Sequence, residues 1–298
     1  MKTKKKKPQD REPKPPFPPQ KLEKPGLESK LRPRPKYDAP AYKPAGKLRD
    51  KVALITGGDS GIGRSVAVLY AREGADVAIT GLPEERSDSE ETRRAVEAEG
   101  RRCIILEGDL ANQQFCRRAI DRTVKRLGKL DVLVHNAAHQ NHWKTLEDVP
   151  DAEWDRTFRV NVYAYFWLVQ AALAHLKPGA AIIASGSQTG IAGSGELPAY
   201  STTKGAIHTF TKTLSQLLLD RGIRVNCVAP GPVWTPLNAA DKGRTPQEVA
   251  KFGEKAPIGR PAQPEEVAPA YVFLASDADS SYITGEVINV LGGTTTAG

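Results

Sequence analysis

The sequence predicts an α/β protein built on a doubly wound (Rossmann) parallel sheet of seven strands with helices on both faces. Three observations carry that reading. From Leu48 onward, short apolar runs alternate with stretches of helical periodicity. The connections between successive runs have the length of crossover helices, which parallel strands require. The first run also opens into a glycine-rich turn followed at once by a helix. The apolar runs fall near residues 52–56, 76–80, 102–107, 130–135, 180–186, 223–229 and 286–290.

The first run, from Lys51 to Thr56, leads into Gly57-Gly-Asp59-Ser60-Gly61-Ile62-Gly63 and a helix with apolar residues at Val66, Leu69 and Tyr70. Such a strand, turn and helix bind a dinucleotide, because glycines let the backbone approach the pyrophosphate and the helix N-terminus faces its charge. Strand-to-helix turns favour glycine in any case. The weight comes from context, since this triplet opens a βαβ pattern.

A second constellation lies at Ser187 and Tyr200-Ser-Thr-Thr-Lys204. Four positions apart at the head of a helical run, Tyr200 and Lys204 share one helical face. A phenol ordinarily titrates near pH 10, so exchanging its proton at neutrality takes about 4 kcal/mol. An ammonium about 4 Å away at an effective dielectric of about 20 contributes on the order of 4 kcal/mol, so one lysine is about enough. Ser187, where the apolar run at 180–184 leads into a loop, is placed to share with Tyr200 a hydrogen bond to one substrate oxygen. The Tyr–Lys spacing alone is common in helices, and the independent glycine turn gives it meaning.

Thr56-Gly57-x-x-x-Gly61-x-Gly63, Asn136-Ala137-Ala138, Asn161, Ser187, Tyr200-x-x-x-Lys204 and Pro230-Gly231 together resemble the classical short-chain dehydrogenase/reductase family. The resemblance covers about residues 48 to 298, with the motifs in order and at the right intervals. The strings at 57–64 and 229–237 are similar to those of a bacterial branch with a proline-rich N-terminal extension, the general-stress or YghA-like oxidoreductases. The resemblance implies an enzyme interconverting an alcohol and a ketone or aldehyde by hydride transfer, with NAD or NADP as cofactor. Tyr200 would be the acid/base. Lys204 would lower its pKa and bind the cofactor ribose, Ser187 would polarise the substrate oxygen, and Asn161 would carry a water relay. Cofactor contacts would come from Gly57, Asp59, Ser60, Gly61, Ile62, Gly63, Asp109, Leu110, Asn136, Ala137, Ala138, Tyr200, Lys204, Pro230, Gly231, Val233 and Thr235.

Individual elements refine this. The second strand ends at Gly81, where an acidic residue would select NAD and a basic one NADP. Asp59, Glu84 and Glu85 oppose a 2′-phosphate while Arg64 and Arg86 attract it, and the balance leans to NAD. Asp109 ends the third strand; the family's matching aspartate touches the adenine, and the position also suits a cap for the helix from about Asn112. His135-Asn136-Ala137-Ala138 departs from the family's Asn-Asn-Ala-Gly at His135 and Ala138, while Asn136 remains to tie strands together. His139 and His142 lack a suitably spaced third metal ligand, so no metal is expected. Asn161 lies in an apolar helix and, if buried, must find partners. Val233 and Thr235, by resemblance, hold the nicotinamide carboxamide. Residues 236–260 look like a mobile lid, and Gln140, Trp143, Gln188 and Trp234 are expected to line the substrate pocket.

The 298 residues carry a formal charge of +8. Residues 1–47 hold 15 Lys or Arg and 5 Asp or Glu, a balance of +10, which leaves 8 − 10 = −2 for residues 48–298. The basic character therefore belongs to an extension, residues 1–47, ahead of a catalytic domain at 48–298. Eleven of the 23 prolines fall there, so Pro8 to Pro19 should be extended or disordered, a solvated tail rather than a nucleic-acid arm. By resemblance, Lys24 to Tyr42 should lie ordered across the domain or a neighbouring subunit. Cys103, Cys116 and Cys227 lack metal spacing and suit a reduced, cytoplasmic protein. No apolar run reaches the roughly 18 residues of a membrane span. The family resemblance implies a homotetramer built on helices around 151–175 and 199–219. A second reading, a dinucleotide-binding sensor or scaffold without turnover, is opposed by the intact Ser187, Tyr200 and Lys204.

Overall fold

The computed structural model describes residues 12–295. Seven parallel strands form one sheet in the order β3-β2-β1-β4-β5-β6-β7. They are β1 (Val52–Thr56), β2 (Asp76–Gly81), β3 (Cys103–Glu107), β4 (Val132–His135), β5 (Ala181–Ser185), β6 (Arg224–Pro230) and β7 (Val287–Val290). Helices sandwich the sheet, so every residue of β1, β2, β4, β5 and β6 is buried, as an all-parallel sheet demands.

The α-helices are α1 (Gly61–Arg72), α2 (Arg86–Ala98), α3 (Gln113–Leu127), α4 (Asp151–Phe158), α5 (Ala164–Ala172), α6 (Thr189–Ala192), α7 (Pro198–Leu217), α8 (Pro236–Ala239), α9 (Pro246–Ala250), α10 (Pro264–Ala275) and α11 (Asp277–Ser280) among the described residues. Alternate strand residues face opposite layers. Leu54, Leu133, Ile182 and Val225 pack beneath α3, α5 and α7, whereas Ala53, Ile55, Val134 and Ile183 pack beneath α1 and α10. The strand order reverses between β1 and β4, and a crevice opens there beyond the carboxyl ends.

A third apolar cluster lies outside the sheet. Phe17 and Leu31, from the extension, pack with Trp234, Ala239, Val249 and Phe252. Residues 12–19 carry no regular element, yet Phe17 is only 4% exposed and its ring centroid stands 4.1 Å from that of Trp234. This corrects the reading of that stretch as a solvated tail: prolines exclude helix and sheet but do not prevent burial. The basic run ahead of Glu12 lies outside the described residues. Further along, Trp234 Nε1 donates to Pro33 O (2.8 Å), Ala39 N to Glu265 Oε2 (2.6 Å), and the Tyr42 hydroxyl to Glu73.

Candidate active site

The crevice is a cleft of about 990 Å³. The glycine turn after β1 lines it with Gly57, Asp59, Ser60, Gly61 and Ile62, the loops after β3 and β4 with Asp109, Leu110, Asn136, Ala137, Ala138 and Gln140, the loop after β5 and α7 with Ser187, Gln188, Tyr200 and Lys204, and the end of β6 and the loop after it with Pro230, Gly231, Val233 and Thr235. Gly63 stands behind the turn, where a Cβ would come within 2.0 Å of Gly57 O. At Gly57, with φ +61°, a Cβ would meet the Ala137 backbone at 3.0 Å. Only glycine permits this close stacking of turn on strand end.

Asn136 locks the strand ends together. Its Nδ2 donates to Thr56 O (3.1 Å) and Gly57 O (3.2 Å), and its Oδ1 accepts from Ser185 Oγ (3.1 Å). Ala138, the family's glycine position, lies in the cleft wall without disturbing these contacts.

Ser187, Tyr200 and Lys204 converge. Lys204 Nζ sits 5.3 Å from the Tyr200 ring centroid and donates to Ser185 O at 2.6 Å. Burial lowers the Lys204 ammonium to about 8. Burial pushes the Tyr200 phenol up to about 12, and a hydrogen bond with Ser187 pulls against it. One lysine therefore does not bring the phenol to neutrality within the protein alone, contrary to the sequence estimate. Both groups share a wall that strips their water, and each is driven toward its neutral form. Ser187 Oγ accepts from Thr189 N (3.1 Å) and its own N–H meets His208 Nε2 (3.3 Å). Burial and the Lys204 charge lower His208 to about 4.

Asn161 does not reach the cleft. It lies fully buried in a single π-helical turn, Arg159–Tyr163, joining α4 to α5. Its Nδ2 donates to His139 O and Thr203 Oγ1, both 3.0 Å, and its Oδ1 accepts from His139 N at 2.8 Å. The side chain is thus spent on holding α7 and the loop after β4. Its carbonyl contacts His135 Nε2 at 2.9 Å. Burial holds His135 down at about 3, so its ring is neutral and donates that proton. Such π turns recur at functional sites.

Several expectations need correction. Trp234 does not line the pocket; it is fully buried beneath Phe17, Leu31 and Phe252, and Trp143 is likewise absent from the cleft wall. The cap of α3 is Asn112, whose Oδ1 accepts from Phe115 N (3.0 Å). Asp109 instead accepts from Ala111 N (2.9 Å) and pairs with Arg156 (2.6 Å). His139 and His142 turn to different carboxylates, Glu153 (2.9 Å) and Asp241 (2.6 Å). The segment expected to be a mobile lid is anchored: Lys21 Nζ donates to the Asp241, Lys242 and Arg244 carbonyls, and Phe17 N to Ala250 O.

At the end of β2, Asp59 approaches Gly81, where a Cβ would stand 3.3 Å from that of Asp59. Burial raises Asp59 to about 6, and burial together with the Asp59 charge raises Glu85 to about 8. The two arginines are spoken for: Arg86 makes two 2.6 Å bonds to Glu107, and Arg64, fully buried, is held by Glu28 and Asp59 O.

The sequence reading missed Lys24, Pro25 and Gly26, which line the cleft from the extension. Lys24 Nζ donates to Gln140 O (2.6 Å), and burial lowers it to about 8 against the pull of Glu153 and Asp241. It also missed His208, whose place four residues after Lys204 on α7 was a usable signal. For Lys24, embedded among prolines, no local pattern marks the site.

Comparison with known proteins agrees with this geometry. A family model described as enoyl-(acyl carrier protein) reductase matches residues 57–295. General stress protein 39 of Bacillus subtilis is 50% identical over 270 residues, covering 90% of this chain and 93% of its own. A short-chain dehydrogenase from Burkholderia cenocepacia, solved in complex with NADP, superposes with TM-score 0.76 at 33% identity, covering 83% of this chain and 98% of its own. A 3-ketoacyl-(acyl-carrier-protein) reductase from Brucella melitensis, solved with NADH, gives 0.74 at 29%, covering 83% and 98%. With the parallel sheet, the glycine turn and the Ser-Tyr-Lys wall, these matches place the chain in the short-chain dehydrogenase/reductase family, as an oxidoreductase that works with NAD or NADP.

Proposed function

We propose that the protein interconverts an alcohol and a ketone or aldehyde, with Tyr200 as acid/base. The observation that carries this is the convergence of Ser187, Tyr200 and Lys204 in a cleft that the glycine turn also lines. When bound, the nicotinamide dinucleotide supplies the hydride donor or acceptor and, oxidised, a positive ring. Gly57, Ser60, Gly61 and Ile62 would cradle its pyrophosphate, Asp109 and Leu110 its adenine, and Asn136, Ala137 and Ala138 its middle. Lys204 and Tyr200 would meet the ribose, and Pro230, Gly231, Val233 and Thr235 the nicotinamide.

In carbonyl reduction the Tyr200 hydroxyl gives its proton to the substrate oxygen, and the Ser187 hydroxyl holds that oxygen in place. Oxidation runs the proton the other way. Bringing a phenol from about 12 to neutrality requires about 7 kcal/mol. A lysine charge 5.3 Å from the ring supplies about 3 kcal/mol at an effective dielectric of about 20, so a cationic ligand must contribute the rest. Asn161, whose side chain holds the loop after β4 and Thr203 beside Lys204, would carry the water relay that the family resemblance implies. Gln140 and Gln188 bound the substrate.

NAD is the cofactor this cleft favours. Asp59, Glu84 and Glu85 line the adenosine end, Arg64 and Arg86 are paired with Glu28 and Glu107, and a 2′-phosphate would meet carboxyls whose repulsion grows as Asp59 and Glu85 ionise. The exposed Trp154, Tyr163, Phe166 and Leu217 on α4, the π turn, α5 and α7 supply apolar surface for a homotetramer, which light scattering would check. The test of the main reading is absorbance-monitored turnover of NADH and NADPH against panels of carbonyls and alcohols. Binding without turnover across both panels would favour a sensor instead.

A further inference from the structure

Glu28 is a fully buried carboxylate carried by the proline-rich extension. Burying an unpaired charge costs several kcal/mol, and here both oxygens are paired. Oε2 accepts from Gly61 N at 2.6 Å, and Oε1 accepts from Arg64 Nη1 at 2.7 Å. Gly61 opens α1, whose first N–H groups have no partner within the helix. Ser60, at the cap position, makes no side-chain bond to them. The cap therefore comes from 33 residues upstream.

The second contact reaches the same turn by another route. Arg64 donates from Nε and Nη2 to Asp59 O (2.9 and 2.7 Å), from Nε to Thr92 Oγ1 (3.0 Å) and from Nη2 to Asp88 O (3.0 Å). Glu28 thus grips the glycine turn at both Gly61 and, through Arg64, Asp59. Both of those line the cleft, whereas Glu28 does not. Its own N–H is fixed by Asp88 Oδ2 at 2.6 Å, and two residues earlier Gly26 closes on Ala240, where a Cβ would come within 2.8 Å.

We infer that Glu28 is a positioning residue of the dinucleotide site, the one point, among the described residues, through which the extension fixes the glycine turn. The inference rests on the dinucleotide reading of the cleft. A binding turn has to be held within about 0.5 Å of its productive geometry, and Glu28 holds two points of this one.

The experiment uses full-length Glu28→Ala, Glu28→Gln and, as control, Leu31→Ala, an equally buried extension residue that packs on Trp234 instead of the turn. NADH affinity is measured by calorimetry well below every thermal midpoint. At about pH 9, above the value of about 7 to which burial raises Glu28, Glu28→Ala should weaken binding about tenfold, the price of one lost charge-assisted contact. Glu28→Gln, which keeps an acceptor for Gly61 N–H but not the charge, should weaken it about threefold. Leu31→Ala should lower the thermal midpoint while leaving affinity within about twofold. Unchanged affinity in both Glu28 variants, or an equal loss in Leu31→Ala, overturns the inference. Wild-type protein that binds neither NADH nor NADPH overturns the dinucleotide reading along with it, a result distinct from wild-type binding that Glu28 does not influence.

Discussion

Two walls of the same cleft are built by opposite means. The Ser187, Tyr200 and Lys204 wall stands on a strand end and the first turns of a long helix, elements that adjacent chain determines. The wall at Lys24 to Gly26 has no regular element of its own, the nearest being the 3-10 turn Glu28–Lys30 behind it, and is held by contacts to residues far away in sequence. The first wall concentrates chemistry in a few side chains. The second spreads its grip over Phe17, Lys21, Lys24 and Glu28, touching the lid, the loop after β4 and the glycine turn in turn. A wall made of chemistry should fail in rate, and a wall made of contacts should fail in stability and affinity.

The largest expected effect lies on the first wall. Tyr200→Phe should lower kcat by about 10³-fold or more while calorimetric NADH affinity stays within about twofold; near-wild-type turnover would remove Tyr200 as acid/base. On the second wall, Phe17→Ala strips an aromatic ring from Trp234 and should cost about 3 kcal/mol of unfolding free energy, read by denaturant titration. A loss below about 0.5 kcal/mol would mean the extension only rests on the lid. Between the walls, Asp59→Ser should shift kcat/KM toward NADPH relative to NADH by about tenfold, an electrostatic term of about 1.4 kcal/mol. The smallest effect is in pH. Burial raises Glu85 to about 8 and Asp59 to about 6, so both carboxyls are charged above pH 8 and progressively neutral as pH falls through 8 toward 6. Repulsion of a 2′-phosphate weakens in that direction. The ratio of KM for NADPH to KM for NADH should therefore fall several-fold from pH 9 to pH 6, and a flat ratio would remove these carboxyls as the discriminating groups.

The same contrast explains what could be read beforehand. The strands of the sheet, Val52–Thr56 through Val287–Val290, begin and end within two residues of the apolar runs, and burial on both faces imposes continuous hydrophobicity on the five inner ones. Tyr200 and Lys204 were legible because helical spacing fixes their common face. Trp234 was misjudged: its neighbours in sequence line the cleft, whereas its ring turns into a cluster completed by Phe17 and Leu31, about 200 residues away. The phenol was misjudged in the same way, since spacing reveals the lysine but not the dry wall that pushes both groups toward neutrality. Glu28 left no trace at all, because a carboxylate among prolines and lysines looks like any solvated charge until its partner at Gly61 is known.

The separation between Trp234 and Pro33, 201 positions along the chain, has a consequence for assembly. During synthesis the extension emerges well before Trp234, Ala250 and Gln263, to which it docks. Closing loops of that length before any contact rewards them is slow. The extension cannot dock until Trp234 and its neighbours are in place, and the cleft gains this side only when segments about 200 residues apart have met.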